Sequence, residues 1–300
     1  MGWRTIKISS TCKLDLKSNY LAIRQMNDVV RVQIDEIDTL IVETTAVSLT
    51  VALLVELAQK KVNVIFCDGG HNPSVVVHAL YGSHDTSYKV REQIKWKVDT
   101  KDKVWKSIIE HKIMHQKEVL KHFDIVQEKA LEEYQNSVEI GDITNREGHA
   151  AKVYFNALFG NDFSRKDDVV ENACLNYGYS IILSMVNREI VKNGCLTQIG
   201  IHHDNKFNQF NLGCDLMEPI RALIDYIVYK NKWEKIDTDV KREICKITAF
   251  KVTIAGQRQY LTNAVSIYCK SVIDALNSND ESLINHIDYE LQNYENNCAV

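Results

Sequence analysis

With 300 residues, 45% of them hydrophobic and 25% charged, the sequence has the make-up of an ordinary globular chain long enough for two domains. No apolar run approaches the roughly 20 residues that span a bilayer, and the start Met1-Gly2-Trp3-Arg4 lacks the apolar core of a signal peptide, so a cytoplasmic chain without membrane segments is expected. A net charge of −4 excludes a uniformly basic protein but hides an uneven distribution, with ten Lys or Arg against five Asp or Glu from Lys89 to Lys121 and six acids without a base from 271 to 300.

Gly2 does not suit myristoylation, because Ile6 stands where Ser or Thr is needed. Eight cysteines, at 12, 67, 174, 195, 214, 245, 269 and 298, never form CxxC, so reduced and partly buried thiols are expected rather than a zinc ribbon or a disulfide framework. The basic stretch has two readings, a phosphate-binding surface or a solvated helix face laced with ion pairs.

Residues 1 to about 43 read as strands: Trp3–Ile8 alternates, and short runs follow at Lys13–Leu16, Tyr20–Arg24, Val29–Ile34 and Thr39–Glu43, separated by Asp15 to Asn19, Asn27-Asp28 and Asp35 to Asp38. Strands this closely spaced suggest an antiparallel meander. Leu49, Ala52, Leu53 and Leu57 form a helical stripe from Ser48 to Lys60. Val62–Cys67 is the strongest strand, closed by Asp68-Gly69-Gly70. An N-terminal β-rich domain over 1–78, a linker over 79–88 around Gly82-Ser83-His84-Asp85, and a larger all-α domain over 89–300 make an α+β fold. Only two prolines and twelve glycines favour long helices, expected at about 88–98, 100–116, 118–136, 145–158, 170–193, 215–231, 238–253, 260–277 and 280–293. No 20–50-residue repeat occurs, and the Asn-rich acidic tail is the nearest thing to low complexity.

The chemistry concentrates in two places. Gly200-Ile201-His202-His203 is followed by the polar run Asn205 to Asn211 and then by Asp215-Leu216-Met217-Glu218-Pro219-Ile220-Arg221. Asp215 and Glu218 are three apart on one helix face, and Glu147 opens a helix far upstream. One imidazole with two or three carboxylates is an oxygen-rich set that suits Mg²⁺ or Mn²⁺ and points to phosphodiester chemistry. Against this, Thr144-x-x-Glu147 and Asp215-x-x-Glu218 both have capping-box spacing, and a cap needs no metal. His202 and His203 cannot face the same way, and spacing does not choose between them. His111 and His115 have i, i+4 spacing without a neighbouring acid and read as surface residues, whereas Tyr177-Gly178-Tyr179 reads as core with Gly178 permitting close helix approach. There is no GxGxxG, GxxxxGK[ST] or GxSxG, so nucleotide-dependent and serine-hydrolase chemistry lack support.

Asn145-Arg146-Glu147-Gly148-His149-Ala150-Ala151-Lys152-Val153-Tyr154-Phe155-Asn156, Leu158-Phe159-Gly160-Asn161-Asp162-Phe163-Ser164-Arg165 and Leu175-Asn176-Tyr177-Gly178-Tyr179 resemble the CRISPR adaptation integrase, the spacer-acquisition nuclease of CRISPR systems. Gly2-Trp3-Arg4-Thr5, Ile65-Phe66-Cys67-Asp68 and Asn205 to Asn211 resemble its type II-A branch, and the resemblance runs from about residue 2 to 270. It implies a β-domain followed by a helical domain, and a prokaryotic cytoplasmic enzyme of antiviral defence that inserts short DNA fragments at CRISPR repeats through attack of a 3′-hydroxyl on a phosphodiester. By that resemblance Glu147, His203 and Glu218 are catalytic metal ligands for Mg²⁺ or Mn²⁺, and Asp215 is a further ligand or an orienting group. Arg146, Lys152, Arg165 and Lys206 are implied to contact DNA phosphates, with Tyr177 near the site. The family's usual Arg-Pro after the last acid is here Arg221-Ala222, which should relax a local helical turn. Implied partners are DNA, a second copy through the β-domain, a small companion adaptation protein, a ring-forming DNA-end binder and an effector nuclease. The rival readings are a metal-dependent nuclease that cuts without joining, and a non-catalytic DNA scaffold whose glutamates only cap helices.

Overall fold

The computed structural model describes residues 2–26, 28–77, 79 and 82–291. The chain divides into two compact units, Met1–His84 and Asp85–Val300. Asn27, His78, Glu295 and Cys298, on which sequence expectations fell, lie outside the described residues.

The first unit builds from β1 (Arg4–Ile8), β2 (Cys12–Lys17), β3 (Tyr20–Arg24), β4 (Val29–Gln33), β5 (Ile37–Val42), β6 (Val47–Leu49), α1 (Val51–Gln59), β7 (Asn63–Cys67) and β8 (Pro73–Val77). These strands form two four-stranded sheets, ordered β1-β5-β7-β8 and β4-β3-β2-β6. Only β2-β3-β4 is the antiparallel meander that close spacing suggested; β1–β5, β5–β7 and β2–β6 pair in parallel. The reason lies in burial. Ile37–Val42 is buried at every position, as a strand covered on both faces must be, and such a strand is paired through crossovers rather than hairpins. Leu14, Leu21, Ile34, Leu40, Leu53, Leu57 and Val64 close the core. Thr50, whose hydroxyl accepts from the Leu53 N–H, starts α1 two residues later than the apolar stripe suggested.

The second unit contains α2 (Thr86–Ile94), α3 (Val98–His122), α4 (Glu128–Asn136), α5 (Arg146–Phe159), α6 (Val170–Lys192), α7 (Asn211–Met217), α8 (Arg221–Asn231), α9 (Thr238–Cys245), β9 (Lys251–Ile254), β10 (Gln257–Tyr260), α10 (Leu261–Ser278) and β11 (Ile287–Asp288). No helix among the described residues is long and apolar enough to cross a membrane. Helix α3 runs unbroken to His122 and packs against α4, α5 and α8. Its buried stripe, Val104, Trp105, Ile108, Ile109, Ile113, His115, Gln116 and Val119, carries it past the break expected near residue 117. His115 is therefore not a surface residue: it is 2% exposed, and its Nδ1 donates to the Pro219 carbonyl at 2.7 Å.

Two expected helices give way to a small sheet ordered β10-β9-β11. Ala255 (φ 47°) and Gly256 (φ 71°) make the two-residue hairpin turn between alternating strands, which ends the helical reading of 238–253 early. Of the stretch expected as a helix over 280–293, the residues described, up to 291, include one 3-10 turn, Glu281–Leu283, and then β11. The seven described cysteines are free thiols, six of them buried. The basic stretch on α2 and α3 is largely paired at helical spacing (Lys89–Asp85, Lys95–Glu92, Lys103–Asp99, Lys106–Glu110), exposed pairs that each contribute little.

Candidate active site

Glu147 sits in the first turn of α5, but it does not cap it. The cap is Asn145, whose Oδ1 accepts from the Gly148 N–H, while the Asp142 carboxylate accepts the N–H groups of Arg146 and Glu147 at 2.7 and 3.0 Å. Thr144, the expected cap, keeps a buried hydroxyl without a hydrogen-bond partner. With the orphan N–H groups satisfied by others, the Glu147 side chain is released to reach Lys112 Nζ at 2.5 Å.

The second pair of acids is likewise no cap. Helix α7 already begins at Asn211, so Asp215 is interior to it; Glu218 opens the 3-10 turn Glu218–Ile220 that leads into α8. Pro219 supplies the reason for that break: it has no N–H to give and its ring collides with a regular preceding turn. The result turns the two acids apart. Asp215, fully buried, faces the histidine loop, accepting N–H bonds from Ile201 (2.5 Å), His202 (3.2 Å) and His203 (3.0 Å), with His203 Nδ1 at 2.6 Å. Gly200 makes this possible, because a Cβ there would lie 2.3 Å from the His203 carbonyl oxygen and 2.7 Å from Asp215 Oδ2. The same loop is clamped from α2 by Gln93, which donates to the carbonyls of Leu196 and Ile199 and accepts from the Leu196 N–H.

This geometry separates the two histidines. His202 stacks flat on Trp105 with ring centroids 4.4 Å apart, whereas His203 is edge-on to it and bonded to Asp215. Since the carboxylate must accept, Nδ1 carries the proton and the neutral imidazole presents Nε2 as its acceptor. The bond to Asp215 lifts the imidazole pKa above the ordinary histidine value, against the opposing effect of burial, with Glu218 and Glu147 adding to the rise.

Glu218 is 3% exposed; Arg221 Nη1 donates to its Oε1 at 2.9 Å and Lys112 Nζ lies 2.6 Å from its Oε2. Burial alone would raise this carboxyl, but the charges of Arg221 and Lys112 outweigh it and hold the pKa at about 2. Lys112 shows the mirror image: burial works against its charge, yet Glu218 and Glu147 raise its pKa above the lysine norm. The Oε2 contact is close but lacks hydrogen-bond alignment, so this buried oxygen is held by charge alone.

Lys112 is the residue that sequence reasoning missed. Its ammonium ties Glu147 to Glu218, and among the described residues no three His, Cys, Asp or Glu side chains stand ready as a metal-binding group. The ready-made convergence of three ligands expected from the sequence is thus not what the chain presents. The donor chemistry still suits a hard divalent ion: two ionised oxygens around one cation, and an oriented imidazole within their electrostatic range. Lysine on the apolar stripe of α3, in step with Trp105, Ile108, Ile109 and His115, was the available clue.

The residues expected to meet DNA fare differently. Lys152 and Lys206 are exposed, the latter over the ring of the exposed Phe207. The guanidinium of Arg146 lies 5.9 Å from the Tyr134 ring centroid. Arg165 is engaged by the side-chain oxygens of Asn172 and Asn176. Tyr177 is core, as its apolar surroundings suggested, and the DNA contact that the resemblance implied for it is corrected: it is 2% exposed, with its hydroxyl 3.5 Å from Cys245 Sγ and its ring beneath Lys241. Tyr179 is the tyrosine beside the site; Arg221 lies over its ring at 4.2 Å and its hydroxyl donates to the buried Asp225.

The family model described as "CRISPR associated protein Cas1" matches residues 7–248. The "CRISPR-associated endonuclease Cas1" of Neisseria meningitidis serogroup C (strain 8013) is 30% identical over 275 residues, covering 89% of each chain. Among solved structures, a casposase bound to integration product superposes with a TM-score of 0.73 at 17% identity, covering 94% of this chain and 92% of the other. A chain of a Cas6-RT-Cas1–Cas2 complex gives 0.69 at 14% identity, covering 94% of this chain and 36% of that one; both structural likenesses establish the fold alone.

Proposed function

Because this chain belongs to the CRISPR-associated Cas1 family, we propose that it is a divalent-metal-dependent DNA endonuclease and integrase that joins short DNA fragments to CRISPR repeats. The observation that carries this reading is the pair Glu147 and Glu218, drawn around one cation beside the oriented imidazole of His203. A Mg²⁺ or Mn²⁺ held there would polarise a phosphoryl oxygen and stabilise charge on the leaving oxygen. Glu147 and Glu218 supply oxygens and His203 supplies Nε2, while Asp215 fixes the imidazole from behind through Nδ1. Arg221 keeps Glu218 ionised and Tyr179 seats the Arg221 guanidinium. Arg146, Lys152 and Lys206 meet the phosphates, and Arg165 acts first as a brace between its loop and α6. No side chain has to form a covalent intermediate.

Joining rather than cutting alone is supported by the casposase of the same fold, which is bound to an integration product. A companion adaptation protein is supported by the Cas1–Cas2 complex whose chain shares the fold. Exposed valines on the edge strands, Val29 and Val30 on β4 and Val75 on β8, support pairing of two β-units into a dimer. The type II-A assignment, with its ring-forming end binder and effector nuclease, rests on Gly2 to Thr5, Ile65 to Asp68 and Asn205 to Asn211.

The test is a strand-transfer assay with 3′-hydroxyl fragments and a repeat-bearing plasmid, with and without EDTA. Glu147→Ala should abolish joining in Mn²⁺ while the chain stays folded; joining by that variant would end this assignment. Cleavage without joining by the unaltered chain would favour the simple nuclease. Calorimetry showing no Mn²⁺ uptake would favour the scaffold.

A further inference from the structure

Lys112 projects from the middle of α3 with a side chain only 7% exposed, and its ammonium lies 2.5 Å from Glu147 Oε1 and 2.6 Å from Glu218 Oε2. Arg221 takes the other oxygen of Glu218. The four groups carry two negative and two positive charges, and Asp215 spends its own charge on three backbone N–H groups and His203. A doubly charged ion added to this neutral cluster leaves two uncompensated positive charges in a buried place, which is strongly unfavourable. Either a resident cation leaves or an anion arrives. Arg221 is held by the Tyr179 ring as well as by Glu218, whereas Lys112 has a flexible four-carbon stem and, among the described residues, no ion-pair partner other than the two glutamates.

We infer that Lys112 is a built-in competitor for the metal: its ammonium fills the gap between Glu147 and Glu218, and a divalent ion enters as that ammonium leaves and takes a DNA phosphate as its new partner. This rests on the proposed reading of the two glutamates as metal ligands. Metal and DNA backbone then favour one another's binding, because the phosphate supplies the negative charge that the displaced lysine has lost. Lys112 is a positioning residue under this scheme, one that holds the two carboxylates together until the metal takes its place.

Two measurements decide it. In the first, Mn²⁺ is titrated calorimetrically into the EDTA-stripped full chain and into Lys112→Met, with and without a short duplex whose 3′ ends are dideoxy-terminated so that nothing can be joined. Without DNA, Lys112→Met should bind Mn²⁺ about tenfold or more tightly than the unaltered chain, within the range of ordinary couplings. The duplex should raise Mn²⁺ affinity in the unaltered chain and do so far less in the variant. Equal or weaker Mn²⁺ binding by Lys112→Met overturns the inference alone. Absence of uptake by both chains overturns the metal reading and the inference with it. The second measurement needs no variant to fold. Acetic anhydride labelling followed by peptide mass spectrometry should find Lys112 protected in EDTA, modified at saturating Mn²⁺, and protected again when the duplex is added. Unchanged labelling on adding Mn²⁺ would show that the ammonium does not move.

Discussion

Asp215 offers the sharpest test of how the histidine loop is built, because one buried carboxylate accepts from three backbone N–H groups and from the His203 ring. Hydrogen bonds to a charged group contribute roughly 1.5–3 kcal/mol apiece, so Asp215→Ala should cost several kcal/mol locally, moderated as the loop relaxes toward water. Asp215→Asn is the more telling variant. It keeps the shape and one accepting oxygen but removes the charge behind Nδ1. The His203 pKa, now raised chiefly by the Asp215 bond, should fall back toward 6.5, read from the ring protons by NMR. Ligation needs an unprotonated Nε2, so the acid limb of Mn²⁺ binding should move to lower pH in step. At neutral pH the looser imidazole should weaken Mn²⁺ binding about 10–100-fold, a loss of about 1.4–2.7 kcal/mol. Glu147→Gln, by contrast, should remove a ligand and abolish uptake. If Asp215→Asn abolishes uptake as completely as Glu147→Gln, Asp215 is itself a ligand; if the imidazole pKa does not move, the orienting argument is wrong.

Two other perturbations follow from the packing around the site. A methyl group at residue 178 would lie 2.6 Å from two carbons of Ile224, so Gly178→Ala should destabilise the chain by about 1–3 kcal/mol in urea unfolding. Combining it with Ile224→Ala should recover about 1 kcal/mol or more relative to the sum of the single changes. Burial raises the Asp225 pKa to about 6, against the hydrogen bond from Tyr179 and the charge of Arg221. A folded pKa above the unfolded value means that this contribution is complete below about pH 4 and is lost as pH rises through 6, to the extent of roughly 3 kcal/mol. Asp225→Asn should therefore unfold at a higher temperature than the unaltered chain at pH 8, with the gap closing toward pH 4; a gap independent of pH would mean that Asp225 is ionised throughout.

Local pattern carried far along this chain. Alternation in Arg4–Ile8, Lys13–Leu16 and Tyr20–Arg24 marked strands because a half-buried sheet repeats every two residues, and the 3.6-residue stripe marked α3, α5, α6 and α10. The edge strand Val47–Leu49 escaped because three residues are too few to show a period, and Pro73–Val77 because its residues and their burial do not alternate. The Ala255-Gly256 turn falls in the gap between the expected helices 238–253 and 260–277, and most of the strand before it was read as the end of the first helix. At the site, motif resemblance picked out Glu147, His203 and Glu218, and Gly200 because a glycine is required where the chain nearly touches Asp215.

By itself the sequence determined most of the element types and the order of a β-rich part before a helical one, since these depend on neighbours a few residues apart. Only the tertiary structure decided that Asp215 turns to the loop while Glu218 turns to Lys112, and that caps at Asp142 and Asn145 release Glu147. It also brought a lysine 35 residues upstream of Glu147 between the two glutamates. The physical reason is the same in each case: charge compensation and burial are set by groups that meet in space, and no periodicity along the chain records which ammonium will be driven out of water beside which carboxylate.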